Sequence, residues 1–234
     1  MCGRFIWINI EKSFLKFKVT AGPEDSPMFT ESVSPSLSQR WNIAPGQEVA
    51  VIRDESRVRK AEWMTWGMRP YWTKDGKKNS MIINARGDQL DNRMWYKSVR
   101  KYRCAIPADG FYEWKKLKGR KQPYLFIMKS KEPFVFAGIY DTWYNPNTRK
   151  MTRSFAIITT YPNSLMKPIH NRMPAILDND SLSLWLDSSI TDSEILNKVV
   201  RSYSNEEMHA YMVSDAVNNW RNEGPELLEK RTFI

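Results

Sequence analysis

The chain has 234 residues and carries 36 Lys+Arg against 26 Asp+Glu, a net charge of +10, with 41% hydrophobic residues. That length and apolar content suit one folded domain over residues 1–234 and argue against disorder. Two cysteines and two histidines, His170 and His209, exclude a disulfide framework and the paired ligand spacing of a zinc site, so no metal or cofactor is expected.

Cys2 and Cys104 could form only one bridge, and both are expected to stay reduced. No run approaches the roughly 20 apolar residues that span a bilayer, and the opening MCGRFIWINIEKSF lacks the apolar region of a secretory signal. With no leader before Cys2, a lipid anchor is not expected either, and the chain reads as soluble, cytoplasmic and without a membrane partner.

In chain order, Glu11–Phe17 reads as a short helix and the Ser- and Pro-rich Ser26–Arg40 as a surface loop. Short β-type runs follow at Val49–Arg53, Ala61–Trp66, Met81–Asn84, Arg103–Ile106, Phe111–Lys115, Tyr124–Met128, Phe134–Tyr140 and Phe155–Thr160. They are rich in Val, Ile, Phe, Tyr and Trp and are separated by turn residues. Arg93–Val99 is a second short helix, and Asn145–Thr148 reads as a hairpin tip. Ser181–Leu186 is a third helix. A fourth follows Thr191, where Thr191 and Glu194 form a capping box ahead of Ile195, Leu196, Val199 and Val200. The expected fold class is α+β: a mixed, mostly antiparallel, barrel-like sheet core with peripheral short helices.

The positive charge fits a polyanionic partner or a generally basic, solvated surface. Ten Trp, ten Tyr and ten Phe exceed the expected need of the core, which favours exposed stacking platforms for unpaired bases. Cys2 is the unusual residue. Removal of Met1 would leave it with an α-amine and a thiol on adjacent carbons. An α-amine of pKa about 7.7–8.0 attacks aldehydes at neutral pH, where Lys at about 10.4 does not. The thiol then closes onto the imine carbon to give a thiazolidine. The plainer alternative is a small residue near a chain end.

Four later segments, WNIAPG (Trp41–Gly46), INARGD (Ile83–Asp88), RCAIPADGFYEW (Arg103–Trp114) and HNRMPAIL (His170–Leu177), place polar groups in apolar, β-like surroundings. With MCGR at the start, WGMRPYW (Trp66–Trp72), KQPYLFI (Lys121–Ile127) and VSDAVNNWRNEGPELL (Val213–Leu228), this ordered set resembles the SRAP family of abasic-site-processing proteins, also called SOS-response-associated peptidases.

The resemblance implies a monomer that recognises abasic sites in single-stranded DNA and crosslinks its N-terminal cysteine to the sugar aldehyde. It would be a DNA-modifying enzyme of the DNA-damage and SOS response, cytoplasmic and nucleoid-associated when bound. On this resemblance Cys2 is the nucleophile, Asn84 positions the sugar and the terminus, Glu113 is the acid/base carboxylate, and His170 assists proton transfer and reversal. Arg4, Arg86, Arg93 and Arg172 would hold phosphates, with Asn42 among the DNA contacts, and Pro45, Tyr71 and Trp72 would form an apolar wedge beside the lesion.

Each residue keeps a structural alternative: a turn amide for Asn84, the outer side of a strand for Glu113, core packing for Trp72. Gly87, Asp88 and Gln89 depart from the family's usual residue-Glu-Thr after NAR, and Asn171 stands where an acid is common, which puts the support of the site at those positions in doubt. Two other functions remain open: a thiol peptidase using Cys2 with His170 and Glu113, and a non-covalent single-strand binder; lyase activity is likewise open.

Overall fold

The computed structural model describes residues 2–21, 37–71, 81–92, 94–145 and 149–231. The strands in chain order are β1 (Arg4–Trp7), β2 (Val19–Ala21), β3 (Arg40–Ile43), β4 (Glu48–Glu55), β5 (Val58–Trp66), β6 (Asn84–Arg86), β7 (Arg103–Ala108), β8 (Gly110–Leu117), β9 (Arg120–Met128), β10 (Phe134–Asn145), β11 (Lys150–Thr160), β12 (Met173–Pro174), β13 (Ile176–Leu177) and β14 (Met208–Met212). The helices are α1 (Ile10–Lys16), α2 (Tyr96–Lys101), α3 (Asn179–Leu186) and α4 (Ser193–Val199). Strands dominate because alternating β-branched and aromatic residues need a pleated surface with two faces to fill.

β11, β10, β7, β4 and β5 follow one another antiparallel, and a parallel pairing of β5 with β11 closes these five strands into a barrel. β6 lies parallel to β11, with Asn84 opposite Ile157. A second, open sheet has the order β14-β9-β8-β1-β3. The core joining the two is aromatic: Phe111 stacks on Phe126 at 5.0 Å and meets Phe136 edge-on at 5.9 Å, while Phe5 lies 5.2 Å from Trp66.

On β10 the alternation is visible residue by residue. Phe134, Phe136 and Tyr140 join that aromatic core, and Val135, Ala137 and Ile139 pack with Val99, Leu182, Trp185 and Leu196 of the helices. Arg103, at the start of β7, is 6% exposed and donates to the carbonyls of Val99, Arg100, Trp185 and Asp187, so one guanidinium satisfies the C-terminal ends of α2 and α3.

These elements match the α+β, barrel-like expectation, with several corrections. The Met81–Asn84 run forms no strand before Asn84; only Ile82 bridges to Met68. The helix expected at Arg93–Val99 is displaced to Tyr96–Lys101. The cap of α4 is Asp192, whose side chain accepts the Glu194 N–H, rather than Thr191. The core takes up many of the aromatic residues, with Trp66, Trp185, Phe5, Phe17, Phe111, Phe126, Phe136 and Phe155 all under 2% exposed, while Tyr71, Tyr144, Tyr161 and Trp220 are exposed. The hairpin tip at 146–148, the loop at 26–36, Trp72 and Arg93 lie outside the described residues.

Candidate active site

β1 owes its position to its neighbours. It is an interior strand, with Arg4 opposite Tyr112 and Phe5 opposite Phe111 on β8, and Phe5 opposite Ile43 on β3. Immediately after β1 the chain is pinned by Asp109: its Oδ2 accepts the N–H groups of Ile8 at 2.6 Å and Asn9 at 2.9 Å, and its Oδ1 accepts Asn9 Nδ2 at 2.7 Å. Charge-assisted bonds of this kind are about twice as strong as neutral ones, and they fix the register that carries Cys2 to the edge of Glu113.

Cys2 is fully buried, and its Sγ lies 3.8 Å from the Arg4 carbonyl. Burial pushes its thiol well above the ordinary range, and the Glu113 carboxylate pushes it further in the same direction. Asn84 arrives from the opposite side, carried by β6 along the barrel strand β11, and its Nδ2 donates to the Cys2 carbonyl at 2.9 Å. Glu113, on β8, is 3% exposed, and its Oε1 accepts the Trp114 N–H at 3.2 Å. The apolar neighbours Phe111, Tyr112 and Trp114 thus do not place Glu113 on an outer strand face.

His170 is half-buried on the segment between β11 and β12. Its Nδ1 accepts the Arg172 N–H at 3.0 Å and lies 3.2 Å from the Arg172 carbonyl. A ring that accepts at Nδ1 carries its proton on Nε2.

Gly3, Arg4, Glu113, Trp114, His170 and Asn218 line one cleft of about 1140 Å3. Cys2 and Asn84 are not on its wall; the cleft reaches Gly3, one residue from Cys2. Arg4 Nη2 donates to the Asn218 carbonyl at 3.3 Å, and Trp114 Nε1 donates to Asn218 Oδ1 at 2.7 Å, so the loop after β14 forms part of the rim.

Asp88, where the sequence departs from the family pattern, turns out to gather two of the candidate phosphate ligands. It accepts Arg86 Nε at 3.2 Å and Nη2 at 2.6 Å through its two oxygens, and Arg172 Nη2 lies 2.9 Å from Oδ1. The Arg86 hydrogen bonds come first among the causes that hold the Asp88 carboxyl down at about 2. Arg172 is 8% exposed, donates to the Thr159 carbonyl, and lies 5.3 Å from the Tyr161 ring centroid, yet its Nε and Nη1 have no hydrogen-bond partner among the described residues. Both atoms are shut off from solvent, and neither Arg172 nor Arg86 is on the wall of the cleft.

Three predicted contacts sit elsewhere. Asn42 is fully buried, and its Nδ2 donates to the carbonyls of Val217 at 3.2 Å, Asn219 at 3.0 Å and Asn222 at 3.1 Å. Its amide is thereby committed to the loop that carries Asn218. Pro45 is half-buried in the turn after β3, and Tyr71 is 56% exposed, with its N–H on Asp141 Oδ2 at 3.0 Å and Lys97 Nζ 4.5 Å from its ring centroid. Neither lines the cleft. Sequence reasoning took Asp88 only as a departure from the family pattern and missed Asp109 and Asn218. The signals were present as an acid two residues after Arg86, an Asp in the PADG turn, and an amide in the VNNW loop.

Among the described residues no group of three or more His, Cys, Asp or Glu could hold a metal ion, and no helix is long and apolar enough to cross a membrane.

The family model described as "SOS response associated peptidase (SRAP)" matches residues 1–220. The Bacillus subtilis (strain 168) protein named "Abasic site processing protein YoqW" is 36% identical over 232 residues, covering 98% of this chain and 99% of that protein. The Xenopus tropicalis protein named "Abasic site processing protein HMCES" is 32% identical over 262 residues, covering 97% of this chain and 78% of that one. A crystal structure of a protein from Bacteroides thetaiotaomicron shares the fold at a TM-score of 0.83 and 23% identity, over 99% of this chain and 100% of the other. A family match over residues 1–220, with a relative 36% identical along nearly the whole length of both chains, leads to one assignment: the chain belongs to the SOS response associated peptidase (SRAP) family.

Proposed function

We propose that this protein processes abasic sites, capturing the ring-opened sugar of an abasic site in single-stranded DNA through Cys2 once Met1 has been removed. The observation that carries the reading is the 2.9 Å bond from Asn84 to the Cys2 carbonyl, beside a cleft shared by Glu113 and His170. It fixes the backbone of the reacting residue next to two proton-transfer groups.

The α-amine adds to the aldehyde carbon to give a carbinolamine. Glu113, as the acid, protonates the departing hydroxyl, and water leaves to form the imine. The Cys2 sulfur then adds to the imine carbon while a proton moves to nitrogen. The sum is aldehyde plus aminothiol giving thiazolidine plus water. The order matters, because a thiol pushed up by burial and by Glu113 is a poor first nucleophile, whereas the amine needs no thiolate. That favours aldehyde capture over acyl transfer by a thiol peptidase. Arg4, Arg86 and Arg172 hold the flanking phosphates in this reading, and His170 moves protons in either direction.

Denaturing electrophoresis with an abasic single-stranded oligonucleotide tests it. Wild type is expected to give a shifted band whose mass equals protein lacking Met1 plus DNA minus one water. No adduct from wild type, the same adduct from Cys2→Ala, or undiminished crosslinking by a protein with a non-removable N-terminal extension would each sink the proposal.

A further inference from the structure

The cleft does not end at the reacting groups. It continues along the hairpin of β8 and β9, where Lys116, Leu117, Gly119, Arg120 and Lys121 line it. Gly119 turns the chain with a φ of +74°, a value that suits glycine. Five of the seven residues from Lys115 to Lys121 are cationic, and among the described residues none of the five is in an ion pair.

Lys116 stands directly opposite Lys121 in the ladder, and Leu117 opposite Arg120. Like charges facing each other across a hairpin are destabilising. The hairpin holds because its base is braced by β1 on one side and β14 on the other. The two acids that line the cleft offer no relief, since Glu113 is buried at the base and Asp215 is tied to Arg231 at 3.0 Å. Local repulsion retained on a surface that opens into a reactive cleft marks a place that awaits a polyanion.

We infer that the β8–β9 hairpin is a second DNA-binding site, which grips the phosphodiester backbone of the same strand beyond the reacting sugar; this rests on the proposed function. From Glu113 to Leu117 is four strand residues, about 13 Å at the usual rise. A stacked strand covers that distance in about four phosphates and an extended one in fewer. The hairpin therefore reads no base and recognises no lesion. It holds the flank, and its contribution is electrostatic and independent of sequence.

The test is binding of fluorescently labelled single strands, undamaged and abasic, followed by anisotropy between 50 and 200 mM NaCl. The variants are Lys116→Gln/Arg120→Gln/Lys121→Gln, the charge-keeping Lys116→Arg/Lys121→Arg, and a control that removes three exposed lysines outside the cleft, Lys129→Gln/Lys150→Gln/Lys198→Gln. Loss of three phosphate contacts lowers the salt slope by about 2, so wild-type affinity falls about 16-fold more across that range than the hairpin variant's. The charge-keeping variant and the control keep the wild-type slope.

An unchanged slope in the hairpin variant, or an equal drop in the control, overturns the proposal, and the former would leave the hairpin's charge to some other acidic partner. The Cys2→Ala protein on undamaged strands separates the two hypotheses. If no adduct ever forms yet the slope still drops by about 2, covalent capture fails and the hairpin site stands. If the adduct forms and the slope does not move, the hairpin site alone fails.

Discussion

Asn42→Ala should destabilise the protein while leaving the chemistry of the cleft in place, because the Asn42 amide ties the C-terminal loop to β3. Its two N–H groups serve three carbonyls, those of Val217, Asn219 and Asn222, at 3.0 to 3.2 Å, from a side chain that is fully buried. Two net hydrogen bonds at about 1 kcal/mol each, plus the cost of leaving part-buried acceptors without a donor, give a loss of about 2–4 kcal/mol. At about 2–4 °C per kcal/mol for a chain of this size, Tm drops by roughly 4–16 °C. Asn42→Asp is worse, since it sets a carboxylate against the same three carbonyls. Urea unfolding followed by tryptophan fluorescence measures this, with an unchanged m-value showing that only stability has moved. If Asn42→Ala keeps its stability within about 0.5 kcal/mol and instead loses affinity for DNA, Asn42 is a direct contact and the scaffolding account is wrong.

Asp88→Asn should cost about 1 kcal/mol at neutral pH, allowing for solvent around Arg86. The sign follows from a carboxyl held down at about 2: its contribution is complete above the ordinary Asp value of about 3.9 and fades as pH falls toward 2. Acid titrations of the two proteins should therefore converge between pH 4 and pH 2, and a gap that stays constant with pH refutes the ion-pair role. Gly138→Ala puts a Cβ 2.3 Å from Ile106 Cδ1 and 3.0 Å from Cys104 Sγ in the middle of the barrel, an overpacking cost of about 1–3 kcal/mol. Ile106→Val removes that Cδ1 and should recover part of the loss; thermal melts showing strict additivity in the double variant would rule out the clash.

Local patterning made the barrel strands legible. Val49–Arg53, Ala61–Trp66, Phe134–Tyr140 and Phe155–Thr160 all fall within β4, β5, β10 and β11, because strands buried along most of their length advertise themselves by apolar composition over five to seven residues. Closure was not legible. It depends on Ser154 and Phe155 meeting Thr65 and Trp66 in parallel, a pairing some 90 residues apart that no window of sequence contains. β1, β3 and β14 were missed for a related reason, since each is only four or five residues long and gains its stability from the strands beside it.

At the site, motif order brought Cys2, Asn84, Glu113 and His170 to notice. The sequence could not show what surrounds them, because Asp109 and Asn218 act on neighbours that are distant in the chain, and so does Asp88 where it meets Arg172. Asp88 is the sharpest example. As a departure from a pattern it looked like lost support, yet a shorter acid two residues from Arg86 still reaches both Arg86 and Arg172.

The interior place of β1 also sets a clock. Arg4–Trp7 cannot pair with β8 until residues 110–117 have been made, and at about 5–20 residues per second the ribosome needs roughly 5–20 s to get there. Through that interval β3 alone can lie beside β1, so the burial of the first residues stays incomplete and they remain open to the enzymes that trim nascent termini. On the proposed function, a beginning whose burial is completed only when half the protein exists gives removal of Met1 precedence over the burial of Cys2.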